Sequence, residues 1–443
     1  MRRCGSRSSR SRCFPRMNSE KTKANAPLFA CLFALLCTLC WPERQSVAAT
    51  ETGNDSVETP EPRRFVVRGS ALYDRTLGRD VFLRGMGYSP YLRGETPLYG
   101  DPPGDDGRYR IHFKRITELG VAYLHVFSAR MPAGFFAALD DTNLVYGQDI
   151  WVHPNAEDFL AESFQQATLA RTEAAIDHTY RVGRPQRLVL FSVGDELKAE
   201  AVRRTNRLHP EVRDFRGKHL VVRNRNPSEV AMARLIDEAM DYELRRYGQR
   251  HLYCHTSWTH IGPVAERPDL EVARGDVLNP DMGDLICLNV YTYARGVASS
   301  PPGSTTHTSY QGYLEDLARQ SDKPIVITQV GLSTSPIAPK PWVPGFGGHA
   351  VADVPRQLRE LWQDLRRAAG RDKYCGLVFF ELHDEWWKSG EDGQDAFRHE
   401  EDDPEEWFGI FELGENGDLL PKGDIPATVR ELFSERSEWG GMQ

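Results

Sequence analysis

Cysteine is scarce through most of this 443-residue chain. Five of the eight cysteines precede residue 41, and only Cys254, Cys287 and Cys375 follow, each within an apolar run. An odd number of cysteines in apolar surroundings predicts buried free thiols and argues against a disulfide framework. No cysteine or histidine spacing matches a zinc site, so no metal is predicted.

Positive charge is also in short supply. The formal net charge is −8, and no lysine- and arginine-rich patch follows the first residues. Nucleic acid is therefore an unexpected partner, because binding it needs clustered positive charge. The acidic run at residues 400–406 lacks a calcium-loop pattern, so a solvated loop is the prediction there.

Long apolar runs are absent as well. The run at residues 26–41 is too short for a comfortable span of about 20 residues, so no stable membrane span is predicted. Basic residues precede that run and small residues follow it at 46–49, which indicates an export signal over residues 1–49 with a possible true start at Met17. Residues 50–64 read as a disordered linker. The predicted location is secreted or periplasmic.

Eight short runs of apolar and β-branched residues dominate the remaining chain, and helical patterns separate most of them. The runs occupy residues 81–87, 121–127, 144–151, 188–193, 251–256, 284–290, 324–329 and 376–381. This alternation predicts a single (β/α)8 TIM barrel over residues 65–433, with a short N-terminal hairpin, long loops after the strands and a tail at 434–443. An open doubly wound sheet is the rival, but Gly85-Met-Gly87 makes a poor phosphate loop.

The fourth run ends in two adjacent carboxylates. Gly194 closes the buried strand, and Asp195 and Glu196 follow at once. Unpaired acids are costly beside a buried strand, and barrel active sites form at the C-terminal ends of strands. Glu196 is therefore the first candidate for a catalytic acid. The alternative is that both residues begin a loop and cap a helix.

Six segments in order along the chain resemble one known group of barrels. They are Phe-Leu-Arg-Gly-Met-Gly-Tyr-Ser-Pro at 82–90, Leu-Gly-Val-Ala-Tyr-Leu-His at 119–125, Ser-Val-Gly-Asp-Glu at 192–196, Leu-Asn-Val-Tyr at 288–291, Lys-Pro-Ile-Val-Ile-Thr-Gln-Val-Gly at 323–331 and Gly-Leu-Val-Phe-Phe-Glu-Leu-His-Asp-Glu-Trp-Trp-Lys at 376–388. The group is the clan of retaining (β/α)8 glycosidases that includes glycoside hydrolase families 2 and 5 and the β-1,3-glucanosyltransferases.

The resemblance implies roles for particular residues. Glu196 stands at the clan's general acid/base, and Asp195 stands where an asparagine usually contacts the sugar 2-hydroxyl. Asn289 and Tyr291 match a sugar-contacting segment on the sixth strand. Gln329, however, occupies the position of the nucleophilic glutamate on the seventh strand. An amide cannot form the glycosyl-enzyme intermediate of a retaining enzyme, in which two carboxyl groups lie about 5 Å apart.

Three interpretations follow from Gln329. In the first, the chain is an exported glycoside hydrolase or transglycosidase, and Glu381, Asp384 or Glu385 at the end of the eighth strand supplies the missing carboxylate. A more distant carboxylate could instead activate water. In the second, the chain is a carbohydrate-binding pseudoenzyme. In the third, the motifs are constraints of the fold alone.

The other candidate residues would bind the substrate, a β-linked polysaccharide or oligosaccharide. Aromatic side chains suit this role because sugar rings stack on them, although the tryptophans could equally close the barrel mouth. These aromatic candidates are Tyr88, Trp258, Trp386 and Trp387, and Asp384 is a further predicted contact of the substrate. His125 and His255 are expected to be satisfied core histidines. No cofactor is implied, since carboxyl groups and water carry the chemistry, and the sequence does not indicate an oligomeric state.

Overall fold

The computed structural model describes most of the chain beyond the predicted leader. The described residues are 63–97, 101–152, 156–259, 273–337, 345–388 and 394–434. The predicted signal peptide (1–49), nearly all of the predicted linker (50–64) and nearly all of the predicted tail (434–443) lie outside them. In the described part of the chain, no helix is long and apolar enough to cross a bilayer.

Eight parallel strands close into a barrel, as the sequence predicts. The strands of the described residues are β1 (Phe65–Arg68), β2 (Ala71–Asp74), β3 (Arg79–Asp80), β4 (Leu83–Tyr88), β5 (Tyr123–Val126), β6 (Val145–Ile150), β7 (Leu188–Asp195), β8 (Phe215–Arg216), β9 (Val221–Val222), β10 (Leu252–Ser257), β11 (Ile286–Asn289), β12 (Ile325–Val330), β13 (Tyr374–Phe379), β14 (Phe411–Leu413) and β15 (Leu419–Pro421). The closed order is β4-β5-β6-β7-β10-β11-β12-β13, with β13 pairing back to β4. The barrel strands therefore follow the chain order, each beside the next.

Helices surround the barrel. Over the described residues they are α1 (Arg108–Glu118), α2 (Ala133–Asp140), α3 (Glu162–Arg181), α4 (Ala199–Leu208), α5 (Pro227–Tyr247), α6 (Arg295–Ala298), α7 (Ser309–Gln320), α8 (Val354–Arg367) and α9 (Ile425–Ser434). Helix α5 begins with a capping box formed by Asn226 and Glu229, and Pro227 occupies the first helical position, where its missing N–H costs nothing.

The core has two layers, one inside the barrel and one between the barrel and its helices. Inside, small and medium side chains such as Val189, Val326 and Val378 fill the space, and Leu72 of the hairpin β1–β3 packs against the same cluster. The three cysteines in the described chain are free and buried, which confirms the prediction. The hairpin packs against residues near the starts of the barrel strands, and the active sites of such barrels lie at the opposite end, where the strands terminate.

All eight predicted strands are present, each shifted by a few residues at most. Elements within the loops were not predicted: helices α2, α4, α6 and α9 and the strand pairs β8–β9 and β14–β15. The strands of these pairs are only two or three residues long, too short to show a period of two. Much of the loop sequence therefore builds ordered structure on the barrel.

Candidate active site

The end of β7 places Asp195 and Glu196 at the barrel mouth. Gly194 and Glu196 both have left-handed backbone angles (φ 76° and 44°), which turn the chain sharply out of the strand. For a glutamate this conformation is uncommon and strained, a feature that concentrates at functional sites. Asp195 is 2% exposed, whereas Glu196 is half-buried and open to solvent.

Asn289, at the end of β11, holds both carboxyl groups. Its Nδ2 donates to Asp195 Oδ1 at 3.1 Å and to Glu196 Oε1 at 2.8 Å. Its Oδ1 accepts a hydrogen bond from the Thr328 hydroxyl at 2.7 Å, which fixes the orientation of the amide. The two acids are therefore positioned by a single side chain from β11, a strand that β10 separates from β7.

Gln329, at the end of β12, faces Asp195. Its Nε2 donates to Asp195 Oδ2 at 3.4 Å, and its Oε1 accepts from the Tyr291 hydroxyl at 2.8 Å. The Tyr291 ring stacks on Tyr293, with centroids 5.2 Å apart. Five residues predicted from the sequence are thus brought together: Asp195, Glu196, Asn289, Tyr291 and Gln329. The seventh-strand group that faces Asp195 is an amide.

Burial and neighbouring charges raise the pKa values of both carboxyl groups at this site. Burial raises the pKa of Glu196 to about 7, while the hydrogen bond from Asn289 opposes that rise and the charge of Glu405 adds to it. Burial also raises the pKa of Asp195, and the charges of Asp149 and Glu196 raise it further. A carboxyl group with a pKa near neutrality can both give and take a proton at physiological pH.

Asp149 of β6 lies in the barrel beneath these groups, and the sequence reasoning missed it. It is fully buried, its Oδ1 lies 3.1 Å from His125 Nε2, and its Oδ2 has no hydrogen-bond partner. His125 Nδ1 in turn lies 3.0 Å from the Tyr123 hydroxyl, so this histidine is a satisfied core residue as expected. The Gln-Asp pair at 148–149, polar inside a predicted strand, was the signal available in the sequence.

The carboxyl groups predicted at the eighth strand are closed to solvent. Glu381, Asp384 and Glu385 are 1%, 0% and 2% exposed. Asp384 Oδ1 accepts hydrogen bonds from Lys422 Nζ at 2.6 Å and from the backbone N–H of Gly409 at 3.0 Å. Burial and then the charge of Glu385 raise the pKa of Glu381. These side chains are sealed inside the loop that follows β13, which argues against the role of second catalytic carboxylate.

Tyr88 does not line the site. Its ring packs between α1 and α2, with centroids 5.6 Å from Phe113 and 6.1 Å from Phe135. Its hydroxyl lies 3.0 Å from His112 Nδ1, and the side chain is 1% exposed. Because the side chain at the end of β4 points towards the helices, Tyr88 belongs to the core, contrary to the substrate-binding prediction.

The paired tryptophans close the barrel mouth. Trp386 is 9% exposed, is stacked on His399 with centroids 5.1 Å apart and lies under the Arg93 guanidinium. Trp387 is 6% exposed and packs edge-on against Tyr91. Little ring area is left for a sugar, so the structure favours the closing role. Trp258 follows β10 and is half-buried, and it stays a predicted sugar contact.

The acidic run at 400–406 is not the solvated loop that the sequence predicts. Glu406 is fully buried, and its carboxylate accepts from the Glu400 N–H at 2.6 Å. Asp403 is 8% exposed and caps the short helical turn Pro404–Trp407. Several of these acids serve as hydrogen-bond acceptors that order the loop, a use that composition alone does not reveal.

Comparison with known proteins supports the architecture. No family model and no curated protein matches the sequence. Among solved structures, the β-D-glucuronidase from Dictyoglomus thermophilum matches with a TM-score of 0.55 and 13% identity, over 85% of this chain and 54% of that chain. The Faecalibacterium prausnitzii β-glucuronidase matches with 0.54 and 13%, over 86% and 53%.

A third similar structure is a GH2 β-galacturonidase from Eisenbergiella tayi bound to galacturonate. Its TM-score is 0.51 at 13% identity, over 85% of this chain and 55% of that chain. These likenesses establish the fold. It is the (β/α)8 barrel that these glycoside hydrolases share, and the chain spans about half the length of the structures it matches. At such low identity, function must be argued from the site itself.

Proposed function

We propose that this chain hydrolyses a β-linked glycoside with Glu196 as its general acid. The observation that carries the proposal is the setting of Glu196 at the C-terminal end of β7. There the residue is partly exposed, its carboxyl accepts one hydrogen bond from Asn289, and burial raises the pKa of that carboxyl to about 7. In its protonated form it would donate its proton to the glycosidic oxygen as the bond to the sugar breaks.

The substrate would be an oligosaccharide or polysaccharide, and the polar rim would orient it. Asn289 and Tyr291 present an amide and a phenol beside Glu196, and Trp258 offers an aromatic surface at the neighbouring strand end. The proteins of similar fold are named β-glucuronidases and β-galacturonidases. Uronides therefore join glucosides among the sugars to be tested. Because an export signal is predicted, we expect hydrolysis to take place outside the cytoplasm. Fractionation of expressing cells would test this by locating the protein.

A second function, sugar binding without turnover, is supported by one observation. Both ends of the Gln329 amide are hydrogen-bonded, to Tyr291 and to Asp195, so this side chain is a fixed polar contact and cannot act as a nucleophile. A binding protein could use Glu196 and Gln329 as hydrogen-bonding groups alone. This pseudoenzyme alternative predicts affinity for a sugar and no release of product.

A substrate panel separates the two functions. Aryl β-glucosides, β-glucuronides, β-galacturonides and β-glucans are incubated with wild type and with Glu196→Gln. Hydrolysis by wild type that falls at least 100-fold in the variant supports the enzyme. Calorimetric binding by both proteins with no product from either supports the binding protein. Full activity in Glu196→Gln would contradict the assignment of the acid.

Gln329→Glu probes the same question from the seventh strand. If the chain only binds sugar, the new carboxylate stands where a retaining glycosidase carries its nucleophile and should create measurable hydrolysis. If the chain is already an enzyme that uses a different second carboxylate, a further negative charge beside buried Asp195 should instead reduce activity. Gln329→Met, which removes the hydrogen bonds without adding charge, is the matched control.

A further inference from the structure

A hydrolase that lacks a carboxylate at the end of β12 needs another group to activate water. The candidates at the end of β13 are buried, and Asp195 is 2% exposed with amide donors on both oxygens. Glu405 differs from all of these. Its side chain is 37% exposed, and it belongs to the short turn Pro404–Trp407, beyond the motifs that suggested chemistry.

Backbone hydrogen bonds fix this turn across the ends of two barrel strands. The Thr334 N–H, just past β12, donates to the Trp407 carbonyl at 3.1 Å. The Glu385 N–H, just past β13, donates to the Glu406 carbonyl, also at 3.1 Å. The turn is therefore part of the rim of the barrel mouth, at the strand ends next to Gln329.

Lys388 holds the Glu405 side chain on that rim. Its Nζ lies 3.3 Å from Glu405 Oε2 and 4.8 Å from the centre of the Phe380 ring. The Phe380 ring packs against Tyr291 with centroids 6.3 Å apart, and the Tyr291 hydroxyl reaches Gln329. A continuous chain of contacts thus links Glu405 to the groups around Glu196.

Electrostatics agrees with this placement. Of the neighbouring charges that shift the Glu196 pKa, that of Glu405 has the largest effect, and it raises this pKa. Burial raises the pKa of Tyr293, and the charges of Glu405 and Glu196 raise it further, so the two acids act on a common neighbour. Lys388 pairs with Glu405, while burial and the charge of Glu405 favour the protonated form of Glu196, the form that a general acid needs.

On the basis of the function proposed above, we infer that Glu405 is the second catalytic carboxylate and acts as the general base of an inverting hydrolysis. The Glu405 carboxylate takes a proton from a water molecule, and the water oxygen forms a bond to the anomeric carbon. The bond from that carbon to the glycosidic oxygen breaks, and the leaving oxygen takes the proton of Glu196. Water displaces the leaving group in a single step from the opposite face of the sugar ring. The product sugar therefore has the opposite anomeric configuration, and no covalent intermediate forms.

The main test compares Glu405→Gln with Glu415→Gln. Glu415 is the matched control because it is 77% exposed and pairs with Arg93. Turnover by Glu405→Gln should fall 100-fold or more while the control keeps wild-type activity. Glu405→Asp should keep a measurable part of it. Lys388 still contacts Glu385 in Glu405→Gln, so the variant should fold, which its melting temperature checks.

Two further measurements distinguish the possible failures. Proton NMR of the first product formed by wild type should show the inverted anomer. Carboxyl titration of Glu196 by carbon NMR, which needs no substrate, should give a lower pKa in Glu405→Gln than in Glu415→Gln. A retained anomer, full activity of Glu405→Gln or an unchanged Glu196 pKa overturns the role of Glu405 while hydrolysis by Glu196 stands. Absence of turnover in wild type overturns both proposals.

Discussion

Replacing Glu196 with glutamine should stabilise the protein in a pH-dependent way. Burial raises the pKa of this carboxyl from its ordinary 4.5 to about 7. Between those values the folded state holds a proton that the unfolded state has released, so wild-type stability falls as the pH rises across this window. By pH 8 the full cost is present, about 3 kcal/mol at roughly 1.4 kcal/mol for each pH unit.

The glutamine variant avoids that cost. It keeps the oxygen that accepts from Asn289 Nδ2, and it carries no charge that must be buried. Removing the charge of Glu196 also relieves Asp195, whose pKa that charge raises, so the two effects have the same sign. We expect Glu196→Gln to exceed wild type by up to about 3 kcal/mol at pH 8 and to match it at pH 4.

Urea denaturation followed by tryptophan fluorescence at a series of pH values measures this difference directly. Glu238→Gln is the control, because Glu238 is exposed in the middle of α5, and its substitution should change stability little at any pH. A variant that is less stable than wild type at pH 8, or a difference that does not depend on pH, would refute the idea that Glu196 is held as a poised acid. The test requires no knowledge of the substrate.

Three other substitutions test the remaining structure. Lys422→Met leaves the Asp384 carboxylate buried without its ammonium partner and should cost about 3–5 kcal/mol in urea denaturation; a loss below 1 kcal/mol would contradict that pairing. Tyr88→Phe should cost about 1 kcal/mol and leave turnover unchanged, whereas a large loss of turnover would return it to the site. Asn289→Ala removes a hydrogen bond that lowers the Glu196 pKa, so the basic limb of the pH–rate profile should move to higher pH; a shift to lower pH would be inconsistent with that role.

Some residues of the site could be predicted from the sequence and others could not, and their positions explain the difference. Asp195, Glu196, Asn289 and Gln329 lie at or just beyond strand ends, and a run of apolar residues marks where a strand ends. Residues in that position of a barrel converge whatever the loops do. Glu405 lies in a loop with no periodic pattern, and its place at the rim depends on hydrogen bonds to segments far away in the chain. Nothing in its local sequence distinguished it from neighbouring acids.

The errors have a similar cause. Tyr88, Trp386 and Trp387 are at strand ends or in the loop beyond β13, but side-chain direction there depends on the packing of neighbouring helices and loops. The direction of the Asp384 side chain also depends on packing, because this carboxylate forms a buried ion pair with Lys422 that the sequence did not predict. A sequence pattern gives the position of a residue along a strand and does not say which space its side chain enters.

The sequence by itself determined the barrel, the order of its strands and the acids at the end of β7. The barrel and its strand order depend mainly on the alternation of apolar runs and helical patterns along the chain, which can be seen in the sequence. Tertiary structure alone decided which carboxyl groups are buried and what holds each in place. Burial and charge act through space, so a pKa or an open face exists only once distant segments of the chain have packed together.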